Sequence, residues 1–283
     1  MKLRITTLCE NTAGVVNVLA EFGWSVLVET DEVNILFDTG PSISVCHNAD
    51  ILGIDLSKVD KIVLSHGHFD HTGGLRQILR KMRKEVEIIA HPHVWAIRYN
   101  CKDQRNRFTG IPFQRQELEN FGAIFKLTAE PTKITDGIMT TGEISMATDF
   151  ENIAPLKPDG SGWFIQEDAG LKPDKVLDDQ ALIINTELGL VVVLGCSHRG
   201  IINTLYHAQQ LTGRKEIHTV LGGSHLIGAS EERVRLTIAA LKELRVQRLG
   251  LCHCTSLPVT ARLAREFGDK FFFNNTGTVL ELP

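Results

Sequence analysis

The sequence predicts an α/β fold in which two β-sheets face each other between two helix layers, a four-layer αββα sandwich. Apolar strands repeatedly run into polar, His-bearing loops that lead into helices. This pattern occurs in both halves of the chain, around residues 61–83 and 190–211. The 283 residues, 43% of them hydrophobic, supply enough apolar side chains for a large core. We therefore expect a single domain over residues 1–283.

The first half alternates short apolar runs with turn residues, which indicates a β-meander followed by strand–helix units. The predicted elements are strands Leu3–Cys9, Ser25–Glu29 and Asn34–Phe37, helix Ile43–Leu52, strand Lys61–Leu64, helix Leu75–Arg83 and strand Val86–Ala90. The run Lys61–Leu64 is apolar throughout its last three residues, which is typical of a strand buried on both faces.

The second half follows the same logic, with apolar strands that end in polar loops and continue into helices. Its predicted elements are strands Ala181–Asn185 and Leu190–Leu194, helix Ile201–Leu211, strand His218–Leu221, helix Glu231–Leu244, strand Arg248–Leu251 and helix Val259–Phe267. Two β-rich halves with outer helices are what the sandwich requires.

Between the halves, at about residues 99–180, the periodic patterns give way to Gly, Pro and charge. We interpret this segment as an insertion or lid over the functional site, with Thr140–Ile144 as its one strand. Arg98, Arg105 and Arg107 are the candidate substrate-binding residues, because guanidinium groups bind phosphates through paired N–H donors. A solvated, charged surface loop is the alternative interpretation.

Composition excludes several classes of protein. A formal net charge of -4 gives no overall basic field for nucleic acid, so nucleic acid is not an expected partner. The N-terminus lacks a signal-peptide core, no apolar stretch is long enough to span a bilayer, and six scattered cysteines do not form a disulfide framework. We expect a cytoplasmic protein without membrane contact, and a homo-oligomer stays open.

The segment His66-Gly67-His68-Phe69-Asp70-His71 is a candidate metal site. Imidazoles at positions i and i+2 of an extended loop can face one ion, and Gly67 relieves crowding of the backbone. Asp70 and His71 then lie at the start of the next helix, where their side chains can face a second metal position beside the first. Four metal-capable side chains directly after a buried strand predict one or two divalent ions, with zinc expected first and iron or manganese as alternatives.

These motifs resemble a known family. The pattern His66-x-His68-x-Asp70-His71, with Asp38-Thr39-Gly40 upstream, resembles the signature of the metallo-β-lactamase superfamily. Three later motifs are similar to the branch of dihydropterin-ribofuranosylaminobenzene-phosphate synthases, namely Gly195–Ile201, Gly222–Leu226 and His253–Thr255. The resemblance covers nearly the whole chain.

The resemblance implies a distribution of ligands over two metal positions. His66 and His68 are expected on the first ion. Asp70, His71 and the late histidine His253 are expected on the second. His253 fits this role because it follows the predicted strand Arg248–Leu251, although a core or capping histidine is the alternative.

The chain departs from the family pattern in its second half. Where the family has a bridging aspartate at a strand end, this sequence has Cys196, with His198 two residues later. Asp178 and Asp179 fall where an earlier histidine is expected. Either Cys196 or His198 is predicted to replace the aspartate, since metal binding deprotonates a thiol; a small buried apolar side chain is the alternative for Cys196. His225, after two glycines, is either a ligand or a donor to phosphate.

The predicted function is that of a metal-dependent, hydrolase-type enzyme acting on a phosphate- or pyrophosphate-bearing small molecule. Asp70 would orient a water molecule, and His198 or His225 would protonate a leaving group. The resemblance implies a transferase reaction, in which an aminobenzene ribose phosphate displaces pyrophosphate from a dihydropterin. The residues equally support a phosphodiesterase or phosphoesterase acting on nucleotides. A non-enzymatic nucleic-acid-binding module of the same fold is a further alternative.

Overall fold

The computed structural model describes residues 2–102, 105–151 and 161–283. Its strands are β1 (Leu3–Cys9), β2 (Ser25–Thr30), β3 (Asn34–Phe37), β4 (Lys61–Val63), β5 (Val86–Ala90), β6 (Arg98–Lys102), β7 (Arg105–Phe108), β8 (Ala123–Leu127), β9 (Ile138–Thr140), β10 (Gly162–Glu167), β11 (Gly170–Pro173), β12 (Leu182–Thr186), β13 (Gly189–Val193), β14 (Ile217–Gly223), β15 (Arg248–Cys252) and β16 (Val279–Leu282). Its α-helices are α1 (Ser44–Ile51), α2 (Phe69–Thr72), α3 (Leu75–Met82), α4 (Arg115–Asn120), α5 (Ile201–Thr212), α6 (Glu231–Glu243) and α7 (Leu257–Phe267). None of the helices within these ranges has both the length and the apolar composition of a membrane span.

Two sheets form the centre of the fold. The first has the strand order β16-β1-β2-β3-β4-β5-β8, and the second has the order β15-β14-β13-β12-β9. Strands β3, β4, β5 and β8 are parallel neighbours, and so are β13, β14 and β15. Parallel neighbours end at the same edge of a sheet, so the loops that follow β13, β14 and β15 lie side by side.

Alternating apolar residues hold the layers together. Ile62 and Leu64 pack among the helices outside the first sheet, whereas Val63 packs between the two sheets. In the second sheet, Val192 faces the outer helices and Val191 faces the first sheet. Successive strand residues point to opposite faces, so these near-continuous apolar runs are buried on both sides. The predicted αββα sandwich is confirmed.

The segment at 99–180 contains more strand than the sequence predicts. Strands β6, β7, β10 and β11 form a small antiparallel sheet of order β11-β10-β6-β7. Strands β8 and β9 of the same segment instead complete the edges of the two main sheets. The prediction of one strand at Thr140–Ile144 is therefore wrong. These strands are short, and most of those in the small sheet are partly or fully exposed, so apolar periodicity does not reveal them.

Glu151 determines where helix α5 begins, directly after the loop that carries His198. Its buried carboxylate accepts hydrogen bonds from the backbone N–H groups of Ile202 and Asn203, at 2.9 and 2.8 Å. A negative charge at this end of a helix is favourable, because free N–H groups point towards it. Gly200 has a φ of 99°, and a Cβ there would lie 2.3 Å from a Glu151 carboxylate oxygen.

We predict that Glu151→Ala lowers the free energy of unfolding by about 1–3 kcal/mol, because two hydrogen bonds to a charged acceptor are lost. Urea denaturation followed by circular dichroism measures this loss. Glu243→Ala, at the exposed end of α6, is the matched control and should change stability by less than about 0.5 kcal/mol. Equal effects of the two substitutions would contradict the capping role of Glu151.

Candidate metal centre

Three buried imidazoles converge on one point between the halves of the chain. His66 and His68 come from the loop between β4 and α2, and His198 comes from the loop before α5. His66 Nε2 lies 2.9 Å from His68 Nδ1 and 3.2 Å from His198 Nε2. Gly67 allows this tight loop, because a Cβ there would lie 2.1 Å from the carbonyl oxygen of Val94. We name His66, His68 and His198 the first ligand set.

A second group of metal-capable side chains lies beside the first. Asp70 and His71 are carried by the short helix α2, and His253 follows β15 from the far half of the chain. Asp70 Oδ2 lies 3.8 Å from His71 Nε2 and 3.4 Å from His253 Nε2. The ligand atoms of these residues, the second ligand set, lie within 4.8 Å of one another.

Cys196 lies between the two sets. Its Sγ is 3.1 Å from His71 Nε2, and its ligand atom lies within 4.8 Å of those of His66 and His71. The alternative left open by the sequence, Cys196 or His198, therefore has a geometric answer: both residues reach the cluster, at different positions. His198 joins the first set, where its Nε2 faces His66.

The charge states of these groups suit cation binding. Burial, reinforced by the positive charge of Arg98 and by neighbouring histidines, holds the pKa values of His66, His68 and His198 well below the usual range for histidine, which favours the neutral imidazole. Burial alone would raise the pKa of Asp70, but His71, His253 and His68 outweigh it, and the pKa lies well below its usual range. Neutral imidazole and ionised carboxylate are the forms that bind metals.

The residues fit a divalent ion by a direct structural criterion. His68 Nε2 is buried without a hydrogen-bond partner among the described residues. Burying such a group unpaired is unfavourable, and an ion or a bound molecule would satisfy it. The mixture of imidazole, carboxylate and thiol is a donor set that zinc, iron and manganese use to different extents.

Asp38 orients one histidine of each ligand set through the ring nitrogen that faces away from the cluster. Its Oδ2 lies 2.7 Å from His71 Nδ1 and accepts a 2.6 Å hydrogen bond from the Ser65 hydroxyl, whose Oγ is 2.9 Å from His66 Nδ1. Holding the far nitrogen of each ring directs the other nitrogen into the cluster. Burial lowers the pKa of His71, but the carboxylates of Asp38 and Asp70 outweigh burial and raise it to about 9.

Asn11 and Glu10 are positioning residues that the sequence did not reveal. Asn11 Oδ1 lies 3.0 Å from His253 Nδ1, and Asn11 Nδ2 donates to the His253 carbonyl oxygen at 3.1 Å. The Glu10 carboxylate accepts a 2.8 Å hydrogen bond from the His253 N–H. These contacts hold His253 at a φ of 52°, which is uncommon for a residue other than glycine. The two residues belong to a loop without any motif, so only the fold identifies them.

A cavity of about 690 Å³ opens onto the ligand sets. One wall is aromatic: Trp163 of β10 has its ring centroid 4.9 Å from that of His68, and Phe69 lies under the guanidinium of Arg107 at 5.2 Å. The small sheet therefore supplies part of the cavity wall. Trp163 was not a predicted site residue, because a short apolar run such as Trp163–Ile165 carries no spacing signal for a binding site.

The three predicted substrate-binding arginines have different surroundings. Arg98 is fully buried, and its guanidinium pairs with Asp174 at 2.7 Å and with Asp178 at 2.5 Å. The prediction for Arg98 is wrong, because a buried arginine already held by two carboxylates is not free to bind phosphate. Arg107 is exposed and lines the cavity. Arg105 is exposed two residues earlier on β7 and is not among the residues lining the cavity.

Asp178 and Asp179, which occupy the position of an expected histidine, support loops of the centre. Asp178 accepts a 2.7 Å hydrogen bond from the Gly67 N–H, and Asp179 accepts one of the same length from the Arg199 N–H. Neither belongs to a group of converging ligand atoms among the described residues. His225 lines the cavity, half-buried, with its ring centroid 4.1 Å from that of His198.

Comparison with known proteins places this centre in a family. A model of the metallo-beta-lactamase superfamily matches residues 18–136. A Methanocaldococcus jannaschii protein named 7,8-dihydropterin-6-methyl-4-(beta-D-ribofuranosyl)-aminobenzene-5'-phosphate synthase is 33% identical over 99% of this chain and 96% of its own length. The chain belongs to the metallo-beta-lactamase superfamily.

Two further relatives match over nearly the full length. The crystal structure of Tm1679, described as a metal-dependent hydrolase of the beta-lactamase superfamily, has a TM-score of 0.84 and 29% identity, covering 99% of both chains. Uncharacterized protein MJ0448 of M. jannaschii is 29% identical over 98% of this chain and 99% of its own length. The superfamily resemblance and the branch resemblance drawn from the motifs are both confirmed.

We predict that His66→Ala/His68→Ala lowers the bound metal per chain by at least one equivalent, because it removes two of three imidazoles from the first set. Elemental analysis of the purified, folded protein measures this. The control is His47→Ala/His218→Ala, which removes two histidines that belong to none of the converging groups among the described residues. Unchanged metal content in the folded His66/His68 variant would contradict the assignment.

We also predict that metal affinity rises with pH up to about 9, the pKa of His71 in the metal-free protein. Below this pH the ion must displace a proton from His71, which lowers the apparent Kd by up to about tenfold for each unit that the pH rises; this contribution from His71 ends above pH 9. Asp38→Asn removes the carboxylate that most raises the pKa of His71, so the slope between pH 7 and 9 should flatten. Competition with a chromophoric chelator measures both. An equal slope in the two proteins would contradict the role of Asp38.

Proposed function

We propose that this chain is a metal-dependent enzyme that acts on a phosphate- or pyrophosphate-bearing small molecule. The observation that carries the proposal is the composition of one cavity. Its lining joins members of both ligand sets, including His68, Asp70 and His198, to an aromatic wall and to the exposed Arg107. Metal ligands, ring faces and a cation in one space of about 690 Å³ suit a ligand with a planar ring and a phosphate group.

The ligand sets define what each residue contributes in this proposal. His66, His68 and His198 would hold one ion, Asp70, His71 and His253 a second, and Cys196 would lie between them. Divalent ions in such a site supply Lewis acidity that neutralises charge on a phosphate oxygen. Zinc is the proposed metal, since nitrogen, sulfur and carboxylate ligands together are typical of zinc sites.

Side chains of the cavity bind and orient the substrate. Arg107 neutralises the phosphate group with charge-assisted hydrogen bonds, each worth about 1.5–3 kcal/mol when well aligned. Trp163 and Phe69 offer ring faces against which a planar heterocycle can stack. The small sheet holds Arg107 and Trp163 on different strands, β7 and β10, so the ring and the phosphate group are recognised at separated points.

The specific reaction we propose is the condensation of a dihydropterin pyrophosphate with an aminobenzene ribose phosphate. The amine nitrogen attacks the methylene carbon of the pterin, the carbon–oxygen bond to pyrophosphate breaks, and its electron pair leaves with pyrophosphate. The proton released by the amine passes to the departing pyrophosphate. The name of the M. jannaschii relative, 33% identical over nearly the full length, supports this choice of substrates.

Hydrolysis of a phosphate ester is the second candidate. The description of Tm1679 as a metal-dependent hydrolase favours it, because that protein matches 99% of this chain at a TM-score of 0.84. The same cavity and ligand sets would serve, with water in place of the amine. The two reactions differ in whether product formation requires the amine.

The deciding experiment incubates the metal-loaded protein with the dihydropterin pyrophosphate, with and without the aminobenzene ribose phosphate. We expect condensed product and pyrophosphate only when both are present, as measured by mass spectrometry and a pyrophosphate assay. Pyrophosphate or phosphate release without the amine would support hydrolysis. Absence of any reaction with these substrates and with a panel of phosphate esters and nucleotides would overturn the proposed function.

We predict that Arg107→Ala raises KM for the pyrophosphate substrate at least tenfold, because one charge-assisted contact is lost. Arg105→Ala is the matched control: it removes the same charge from the same strand, and KM should change less than about twofold. Steady-state kinetics at fixed amine concentration measure both. Equal increases in KM would indicate a general electrostatic effect rather than a contact from Arg107.

A further inference from the structure

Three adjacent strands of the second sheet are each followed by a cysteine or histidine that could bind a metal ion. Strands β13, β14 and β15 are parallel neighbours, with Val193 paired to Leu221 and Leu221 paired to Gly250. Their ends are followed by Cys196, His225 and Cys254 respectively. Because the strands end at one edge, the three side chains meet there.

The three ligand atoms form a compact group. Those of Cys196, His225 and Cys254 lie within 4.8 Å of one another. Both cysteines are buried, and His225 Nδ1 is buried without a hydrogen-bond partner among the described residues. The His225 N–H donates to Cys254 Sγ at 3.2 Å, and Cys254 Sγ donates to the Cys196 carbonyl oxygen at 3.5 Å. These contacts tie the three loops together and leave the imidazole nitrogen unsatisfied.

The backbone is shaped to make room for this group. A Cβ at Gly223 would lie only 2.6 Å from Cys254 Sγ, so the thiol needs glycine at that position. His225 has a φ of 46°, in the left-handed region that non-glycine residues rarely adopt. Strain of this kind persists only where the surrounding contacts maintain it, and it is common at functional sites.

We propose that Cys196, His225 and Cys254 bind an additional thiophilic divalent cation of the zinc class, beside the two ligand sets described above. Two thiolates and one imidazole form a zinc donor set of the catalytic type, in which one position is left for an exogenous ligand. All three residues line the substrate cavity, so that position faces the substrate. Binding releases the two thiol protons to solvent.

Cys196 is shared between this site and the main cluster. Its ligand atom lies within 4.8 Å of those of His66 and His71 as well as those of His225 and Cys254. Thiolate sulfur can contact two ions at once, so Cys196 would connect the additional ion to one ion of the main cluster. His225 then acts as a ligand, which is one of the two roles that the sequence left open. The additional site does not depend on the identity of the substrate.

Cadmium titration of the full-length, metal-free protein tests the site. Cadmium favours thiolate ligands and gives an ultraviolet charge-transfer band for each bound thiolate. We expect the cadmium content of Cys254→Ser to fall by one equivalent per chain and its band to lose about half its intensity. The matched control is Cys252→Ser, a buried cysteine two residues away whose Sγ contacts Asn274 instead. It should retain both the stoichiometry and the band.

A second variant keeps the test decisive if a cysteine variant fails to fold. His225→Ala leaves both thiols in place, so we expect the band at saturation but cadmium affinity at this site at least about tenfold weaker. Retention of full stoichiometry and band intensity in Cys254→Ser, or unchanged affinity in His225→Ala, would overturn the additional site. Neither readout involves turnover, so failure here is distinct from failure of the proposed reaction.

Discussion

The buried carboxylate of Asp38 is the interaction on which the centre depends. It follows β3 and accepts from the Ser65 backbone and hydroxyl, after β4, and it pairs with His71 of α2. Three segments of the first half are thereby fixed relative to one another by one anion. A buried charge is tolerated only when its hydrogen bonds are complete, so this arrangement cannot relax without leaving an unpaired carboxylate. The loop that carries His66 and His68 is therefore held in one conformation.

Strand ends provide the rest of the geometry. The first sheet supplies His66, His68, Asp70 and His71 through one loop and one short helix, and the second sheet supplies candidate ligands after three parallel strands. Because each sheet is packed on both faces, its strand ends are held by the core rather than by the loops themselves. Side chains distant in sequence can therefore converge to within hydrogen-bonding distance, as His66 and His198 do.

Much of this arrangement was predictable from the sequence, because apolar runs and the density of histidines are local signals. The ends of most predicted strands of the two main sheets, and of the helices that pack on them, agree with the structure to within two residues. The sequence also predicts that His253 lies near Asp70, as it does. The small sheet was missed because its strands are short and largely polar. Arg98 was misjudged because sequence does not reveal that Asp174 and Asp178 surround it. Asn11 acts through contacts 242 residues away in the chain, which no local pattern encodes.

The buried Arg98 also has a mechanical consequence. It begins β6 of the small sheet, while its partner Asp178 accepts the N–H of Gly67, between two histidines of the first set. The Arg98–Asp178 salt bridge therefore joins the small sheet, which forms part of the cavity wall, to the loop that carries His66 and His68. The edge strands β7 and β11 can change in sequence to suit other ligands. The start of β6 cannot change in the same way, because Arg98 is held there by its salt bridges. Adaptation of this scaffold to new substrates should therefore accumulate at the free edges of the small sheet.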